Sequence, residues 1–237
     1  MLKPREILVV FLLLFSTAAY SQKIFNAIEN KDYTLIADLA KSADNLNVRG
    51  TGGMTPAIKA AGLNDIKALK ILVENGADIN LKSKSNWTAL MVACQNADIE
   101  MAKYLIEKGS DINATDEHNW NPLIIASRNG QTDIVKILVD KVPTVNCLAQ
   151  DKSSPLLIAS FKGHFDIVKI LLEKGADPNL IDRDSETALF LAAKYGRAEI
   201  VKLLISYKAD KGFINKDGIS ICDAAKNNGY KEICNLL

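Results

Sequence analysis

The side chains that could do chemistry in this chain of 237 residues are few, and they do not form a catalytic motif. One of the two histidines, His118, follows Asp116 and Glu117, which suggests a metal site. Three neighbouring groups on one loop lack the ligand count of a structural zinc site, so a solvated charged loop is the better interpretation. The chain contains no G-x-S-x-G, H-E-x-x-H, P-loop or G-x-G-x-x-G pattern. We therefore expect no enzyme, no metal and no cofactor.

Four cysteines carry the remaining reactive groups. Cys94 occupies a small-residue position of a predicted helix, which favours a buried filler. Cys147 lies in a polar loop and is expected to be the most accessible. Cys222 and Cys234 replace apolar positions on two predicted helices near the C-terminus. They are either separate buried thiols or a disulfide that would stabilise this end of the chain.

Residues 1–21 have the pattern of a secretory signal peptide. Two basic residues precede an apolar run at 7–15, and small residues follow it. We place cleavage between Ser21 and Gln22, and we expect export to a bacterial periplasm. The apolar run is shorter than the roughly 20 residues of a spanning helix, so membrane contact is expected only through the signal peptide. An uncleaved membrane anchor is the alternative.

Composition and charge limit the classes of partner. The chain has 29 basic and 28 acidic residues, and 48% of its residues are hydrophobic, as in a globular protein. Removing residues 1–21 leaves the two charges balanced. A neutral chain has no overall electrostatic attraction for nucleic acid, so we expect no nucleic-acid partner.

The elements that must position these side chains recur with a fixed period of 33 residues. A hydroxyl or amide residue opens each apolar run, where its oxygen can cap the first turn of a helix. A turn glycine and a second, amphipathic helix with an acidic first turn follow in most copies. One period before the first such residue lies Gln22, the expected start of the exported chain. The opening residues are Thr55, Thr88, Asn121, Ser154, Thr187 and Ser220.

These motifs resemble the ankyrin repeat. The openings TPAIKAA, NPLIIAS and SPLLIAS, the glycine nine residues on, the helix DIVKILLE and the exit GADIN stand at the family's spacing. The resemblance implies an all-α solenoid of stacked helix pairs, with β-hairpin-like finger loops and a concave face. After the signal peptide 1–21, the ankyrin domain spans 22–237, with units 22–54, 55–87, 88–120, 121–153, 154–186, 187–219 and 220–237.

Two departures qualify the resemblance. Val142-Pro143-Thr144 replaces the Gly-Ala-Asp exit of the third full unit, so the helix end and the loop there must differ. Gln22 is a poor N-cap for the first helix. The resemblance also implies that His164 packs and forms a local hydrogen bond.

The resemblance further implies where a partner binds, namely at the finger tips and the exposed ends of the first helices. The two tryptophans directly precede N-caps in adjacent units, and with Arg128, Phe161 and Tyr195 they are expected to line one ridge. The alternative is that the tryptophans cover their own fingers and that Phe161 packs between units. The expected protein-binding residues are Trp87, Trp120, His118, Arg128, Phe161, Tyr195, Arg183 and Glu186.

The sequence therefore predicts an exported, monomeric ankyrin protein that binds another protein as an adaptor, stabiliser or inhibitor. No small-molecule substrate is expected. A secreted effector that binds a host protein is one alternative, and a membrane-tethered interaction domain is another. A hydrolytic enzyme using the concave face is the alternative from a different class.

Overall fold

The computed structural model describes residues 19–42 and 45–237. Within this part the regular elements are helices, with two isolated antiparallel bridges and no extended sheet. The chain forms two compact units, the N-terminal unit ending at Asp111 and the C-terminal unit spanning Ile112–Leu237. Most of the predicted signal peptide, residues 1–18, lies outside the described residues.

Within residues 19–42 and 45–111, the N-terminal unit contains six α-helices. Residues 19–29 are helical and form α1. A short 3-10 helix, Thr51–Gly53, precedes α3. Along the chain, α3 packs against α5 and α2 against α4, so first helices contact first helices and second helices contact second helices. The remaining helices are α2 (Tyr33–Ser42), α3 (Pro56–Gly62), α4 (Ile66–Glu74), α5 (Ala89–Gln95) and α6 (Ile99–Glu107).

The C-terminal unit repeats the same arrangement. First helices α7, α9, α11 and α13 pack in series, and second helices α8, α10 and α12 pack in a parallel series. The unit ends in a 3-10 helix, Lys231–Leu236, which packs on α12 and α13. The helices are α7 (Pro122–Arg128), α8 (Thr132–Val139), α9 (Pro155–Lys162), α10 (Phe165–Glu173), α11 (Ala188–Lys194), α12 (Ala198–Ser206) and α13 (Ile221–Asn227). The all-α class predicted from the repeat is confirmed.

All six predicted N-caps are confirmed. Each side-chain oxygen accepts a hydrogen bond from the backbone N–H three residues on, which satisfies one free donor of the first turn. Asn121 has the shortest of these bonds, 2.9 Å from the amide of Ile124. The other caps are Thr55, Thr88, Ser154, Thr187 and Ser220.

Gln22, which stands one period before Thr55 and is a poor N-cap, does not begin the first helix. Residues 19–21 are already helical, so Gln22 lies inside α1. No proline or glycine interrupts the segment, and glutamine is a weak cap, so nothing local starts a helix there. The repeat register is kept all the same, because Ile24 and Ile28 are fully buried and Ala27 is nearly so.

Asparagines at the repeat exits link neighbouring repeats within each unit. The side-chain oxygen of Asn80 accepts the backbone N–H of Asp111 at 2.8 Å, and its amide group donates to the Gly109 carbonyl at 3.3 Å. Equivalent acceptor bonds join Asn47 to Asp78, Asn146 to Asp177 and Asn179 to Asp210. These bonds hold successive exits in register without any sheet.

The exit without glycine differs, as predicted. Helix α8 ends at Val139, and the amides of Lys141 and Val142 both donate to the Leu138 carbonyl. Asn146 keeps its link to the next repeat at 2.9 Å. The irregular exit is therefore accommodated locally.

Of the two states considered for Cys222 and Cys234, the structure has the disulfide, in the last repeat. The structure joins Cys222 of α13 to Cys234 of the final 3-10 helix, with Cα atoms 4.9 Å apart. Cys94 is fully buried, and burial raises the pKa of its thiol to about 12, so it is the inert filler that the sequence predicted. Cys147 is only partly buried, and burial also raises the pKa of its thiol.

Candidate protein-binding face of the C-terminal unit

The fingers of the C-terminal unit are tight hairpin turns that stack on one another. In the first of them, the amide of Asp116 donates to the Trp120 carbonyl at 3.0 Å. The Asp116 side chain accepts the backbone N–H groups of His118 and Trp120, each at 2.8 Å. The next finger attaches through the Gln150 amide, which donates to the His118 carbonyl at 2.9 Å. Hydrogen bonds to the backbone thus fix the shape of this finger and attach the next finger to it.

This geometry settles the role of Asp116 in the acidic run around His118. Asp116 is 7% exposed, and one carboxylate oxygen is committed to the turn. Within residues 19–42 and 45–237, no group of three or more potential ligands is placed to hold a metal ion. His118 itself is exposed, with Nδ1 3.5 Å from Oε1 of Gln150.

Trp120 lies just before α7 and Arg128 is the last residue of α7, and their side chains are in contact. The Arg128 guanidinium lies 4.8 Å from the centroid of the Trp120 ring, a cation–π distance. From the next repeat, His164 Nε2 donates to the Arg128 carbonyl at 3.2 Å. A Cβ atom on Gly130 would lie 2.8 Å from the His164 ring, so the imidazole covers this turn closely. The packing and hydrogen-bonding role expected for His164 is confirmed.

Phe161 and Tyr195 form a second aromatic site, one repeat further along. Their ring centroids are 4.7 Å apart in an edge-to-face arrangement. Beside them lies a surface pocket of about 190 Å³ between α9 and α11. The pocket is lined by Ser153, Leu157, Ile158, Phe161, Asp182, Leu191 and Tyr195. Phe161 therefore packs between repeats and also lines a surface depression, and its contact with a partner stays a prediction.

A second depression, of about 230 Å³, lies at the finger tips. It brings together three expected site residues, His118, Trp120 and Arg183, with Gln150 and Asp151. The Arg183 side chain donates to the Gln150 carbonyl at 3.1 Å, which holds it over the preceding finger. Both depressions are smaller than the roughly 300–1,000 Å³ of small-molecule sites, and each suits a single side chain.

The Glu186 carboxylate is largely buried and pairs within the chain. Glu186 is 9% exposed, and its Oε1 accepts from Lys194 Nζ at 2.7 Å. This hydrogen bond is the main reason that the pKa of Lys194 is raised. Glu186 precedes the N-cap, and its side chain folds back along α11 to reach the last turn. It positions Lys194, a role that differs from the contact residue expected.

Trp87 belongs to the N-terminal unit, whereas Trp120 belongs to the C-terminal unit. Trp87 is half-buried, and its backbone N–H and carbonyl both pair with Ser83 of the same finger. The ridge formed jointly by the two tryptophans stays a prediction.

Sequence reasoning missed a row of exposed aliphatic residues on the fingers. Leu148, Ile181 and Ile214 stand 33 residues apart, and they are 43%, 44% and 58% exposed. Earlier repeats carry Arg49 and Lys82 at this position. Comparing the position six residues before each N-cap would have revealed the change.

Aromatic and cationic residues thus line a face of the C-terminal unit, which we call the binding face. It comprises the finger tips and the last turns of α7, α9 and α11. Among the helices that the structure describes, none is long and apolar enough to cross a membrane.

Comparisons with known proteins agree with this architecture. The family model described as ankyrin repeats in three copies matches residues 24–116, 114–182 and 177–237. A comparison with curated proteins finds no match. Ankyrin repeats are protein–protein interaction modules, and the family is generally non-catalytic. With matches that extend from residue 24 to residue 237, this chain belongs to the ankyrin-repeat family.

Proposed function

We propose that this chain is an exported, periplasmic protein that binds another protein through the binding face of its C-terminal unit. It acts there as an adaptor, stabiliser or inhibitor, and as a monomer. The observation that carries the proposal is the Phe161–Tyr195 pair beside its pocket, one repeat away from the Trp120–Arg128 pair.

The chemistry of this face favours a protein partner. Trp, Tyr and Arg are the residues most enriched among interface hot spots, where they fill small desolvated pockets. The edge-to-face contact holds both rings of the Phe161–Tyr195 pair, so less side-chain entropy is lost when a partner binds. A preformed surface of this kind needs no cofactor.

Two observations support export. Residues 1–21 carry the signal-peptide pattern described above. The pairing of Cys222 with Cys234 supports export, because disulfides persist in oxidising compartments whereas cytosolic thiols are normally kept reduced. Both point to a compartment outside the cytosol.

A crosslinked pull-down from the cell envelope tests the binding proposal. The tagged protein is compared with Phe161→Ala/Tyr195→Ala, and retained proteins are identified by mass spectrometry. Phe165→Ala/Tyr207→Ala is the matched control, because it removes one Phe and one Tyr of similar exposure from α10 and the end of α12. We expect a partner that is held by wild type and the control and lost by the first variant. If all three proteins retained the partner equally, the proposal that the partner binds at the binding face would be wrong.

Cell fractionation tests the compartment separately. We expect the protein in the periplasm, with Gln22 as its N-terminal residue. Accumulation in the medium would favour the secreted effector, and an intact N-terminus in the membrane fraction would favour the tethered domain.

A further inference from the structure

We propose that the partner segment is an acidic, extended stretch of polypeptide that inserts one aliphatic side chain into the Phe161–Tyr195 pocket. This inference rests on the proposed function, since it specifies the partner of the same binding face.

Positive charge without an ion-pair partner lies along the ends of the first helices. Arg128 and Lys162 form no ion pair with any residue that the structure describes. Instead each lies over an aromatic ring, at 4.8 Å from Trp120 and 4.9 Å from Phe161. Lys194, on the next first helix, is neutralised by Glu186.

A third unpaired cation extends this charge. Arg197 lies against the turn of the neighbouring first helix, where a Cβ atom on Gly163 would be 2.9 Å from its Nε. It too forms no ion pair within the described part of the chain. Arg128, Lys162 and Arg197 therefore present positive charge on three successive repeats.

Within the described part of the chain, no carboxylate lies within ion-pair distance of Arg128, Lys162 or Arg197. Asp182 lines the pocket, and one of its oxygens accepts the backbone N–H groups of Asp184 and Glu186, both at 2.9 Å. Asp151 lies at the finger tips, and Asp166 lies on α10 among second-helix lysines. A partner with negative charge is complementary to what remains.

The pocket specifies an aliphatic side chain. Leu157, Ile158 and Leu191 line its apolar part, and its volume of about 190 Å³ is too small for an ordinary ligand. Ser153 and Asp182 are the polar residues of its lining. Burial of one leucine-sized side chain there removes apolar surface from water on both partners.

The spacing of the cations suits an extended chain. Packed helices lie about 8–10 Å apart, and an extended chain rises about 3.3 Å per residue. About three residues of a bound segment would therefore span one repeat. Acidic residues placed on both sides of the central aliphatic residue would face Arg128, Lys162 and Arg197.

Fluorescence anisotropy with labelled synthetic peptides tests the inference on the whole purified protein. Three probes are used: a glutamate-rich peptide with a central leucine, the same peptide with a central serine, and a lysine-rich peptide with a central leucine. We expect the first to bind at least tenfold more tightly than either of the others, and to weaken as salt rises. Equal binding of the acidic and basic leucine peptides, or no binding of either, would overturn the proposal of an acidic partner. Equal binding of the leucine and serine probes would overturn insertion into the pocket.

Charge variants localise the effect. Arg128→Gln/Lys162→Gln should lose most of the affinity for the acidic leucine peptide. Lys136→Gln/Lys169→Gln, which removes the same charge from α8 and α10, should keep it. Arg128→Lys/Lys162→Arg should retain binding, which separates charge from any damage to the fold. Similar losses in the first two variants would overturn the assignment to this face.

The pull-down separates this inference from the proposed function. A cellular partner lost by Phe161→Ala/Tyr195→Ala but retained by Arg128→Gln/Lys162→Gln would preserve protein binding and overturn the acidic segment.

Discussion

The two units share a scaffold but differ at the ends of their first helices. In the N-terminal unit, the amide group of Asn96 donates to Asn64 Oδ1 at 2.8 Å and to the Ala61 carbonyl at 3.3 Å. At the equivalent position of the C-terminal unit, Tyr195 packs edge-to-face on Phe161. The first arrangement satisfies its own polar groups, whereas the second leaves apolar rings beside a pocket.

The difference shows that scaffold and recognition occupy separate positions of one repeat. Both units use the same caps and the same exit asparagines, with hydrogen bonds of similar length. Stacked repeats obtain their core from neighbours, so exposed positions can change chemistry without loss of the fold.

The largest expected effect distinguishes the end of the C-terminal unit from the rest. Cys222→Ser/Cys234→Ser should lower the free energy of unfolding of this unit by about 3 kcal/mol, because the unfolded chain regains the entropy of a short closed loop. Hydrogen exchange should accelerate in α13 and the final 3-10 helix, and remain unchanged in α5 and α6. Unchanged exchange throughout would mean that the disulfide does not stabilise the end of the stack.

Exchanging surface chemistry between the units should affect binding next most strongly. Phe161→Gln/Tyr195→Asn places the residues found at Gln95 and Asn96 onto the C-terminal unit. Aromatic hot spots contribute about 2 kcal/mol or more, so the dissociation constant for the captured partner should rise at least tenfold. Thermal stability should change little, since both side chains are partly exposed. Full affinity in this variant would contradict the aromatic anchor.

A matched pair of core substitutions tests whether the two units are packed alike. Ala192 and Ala93 are both fully buried at equivalent positions of α11 and α5. Ala192→Leu and Ala93→Leu should each cost about 1–3 kcal/mol by overpacking, measured by urea denaturation. A loss of stability in only one unit would show that the other unit has room for a larger side chain between its helices.

Removing one cap from each unit should have a smaller effect. Thr88→Ala and Thr187→Ala each delete the acceptor for a first-turn amide, at 3.3 and 3.2 Å. Each should cost about 1 kcal/mol of stability. Thr→Ser variants, which keep the oxygen, serve as controls and should lose less.

The smallest effect concerns pH and only the C-terminal unit. The Glu186 carboxylate raises the pKa of Lys194 above 10.5 in the folded state. The stabilisation is therefore fully present below pH 10.5 and is lost as pH rises through the folded-state pKa. The stability difference between wild type and Glu186→Gln should stay constant below pH 10.5 and shrink as the pH rises above that value, measured in denaturation series. A difference that stays constant above pH 10.5 would contradict the ion pair.

Much of the fold could be predicted from the sequence because its determinants are local. An N-cap bonds to an amide three residues away, and Gly163, with φ of 86°, adopts the left-handed conformation that ends α9. The cap recurs six times and the turn glycine four times in a 33-residue register, so the copies reinforce one another. Gln22 was the exception, because residues 19–21 are already helical and no local signal begins a helix at Gln22.

The candidate site was less predictable, because exposure depends on neighbouring repeats. Trp120, Arg128, Phe161 and Tyr195 were chosen by position; the structure brings them together as two pairs, and their contact with a partner stays a prediction. Glu186 was chosen by the same rule, yet its carboxylate is largely buried and pairs with Lys194.

The sequence by itself determined the period, the caps, the turns and the family, since each is encoded within a few residues. Only the tertiary structure decided which side chains meet across repeats. Phe161 packs on Tyr195 of the next repeat, and the His164 ring covers Gly130 of the preceding repeat. The physical reason is that a stacked repeat buries its surface against a neighbour, so the chemistry of its open face is set by two repeats together.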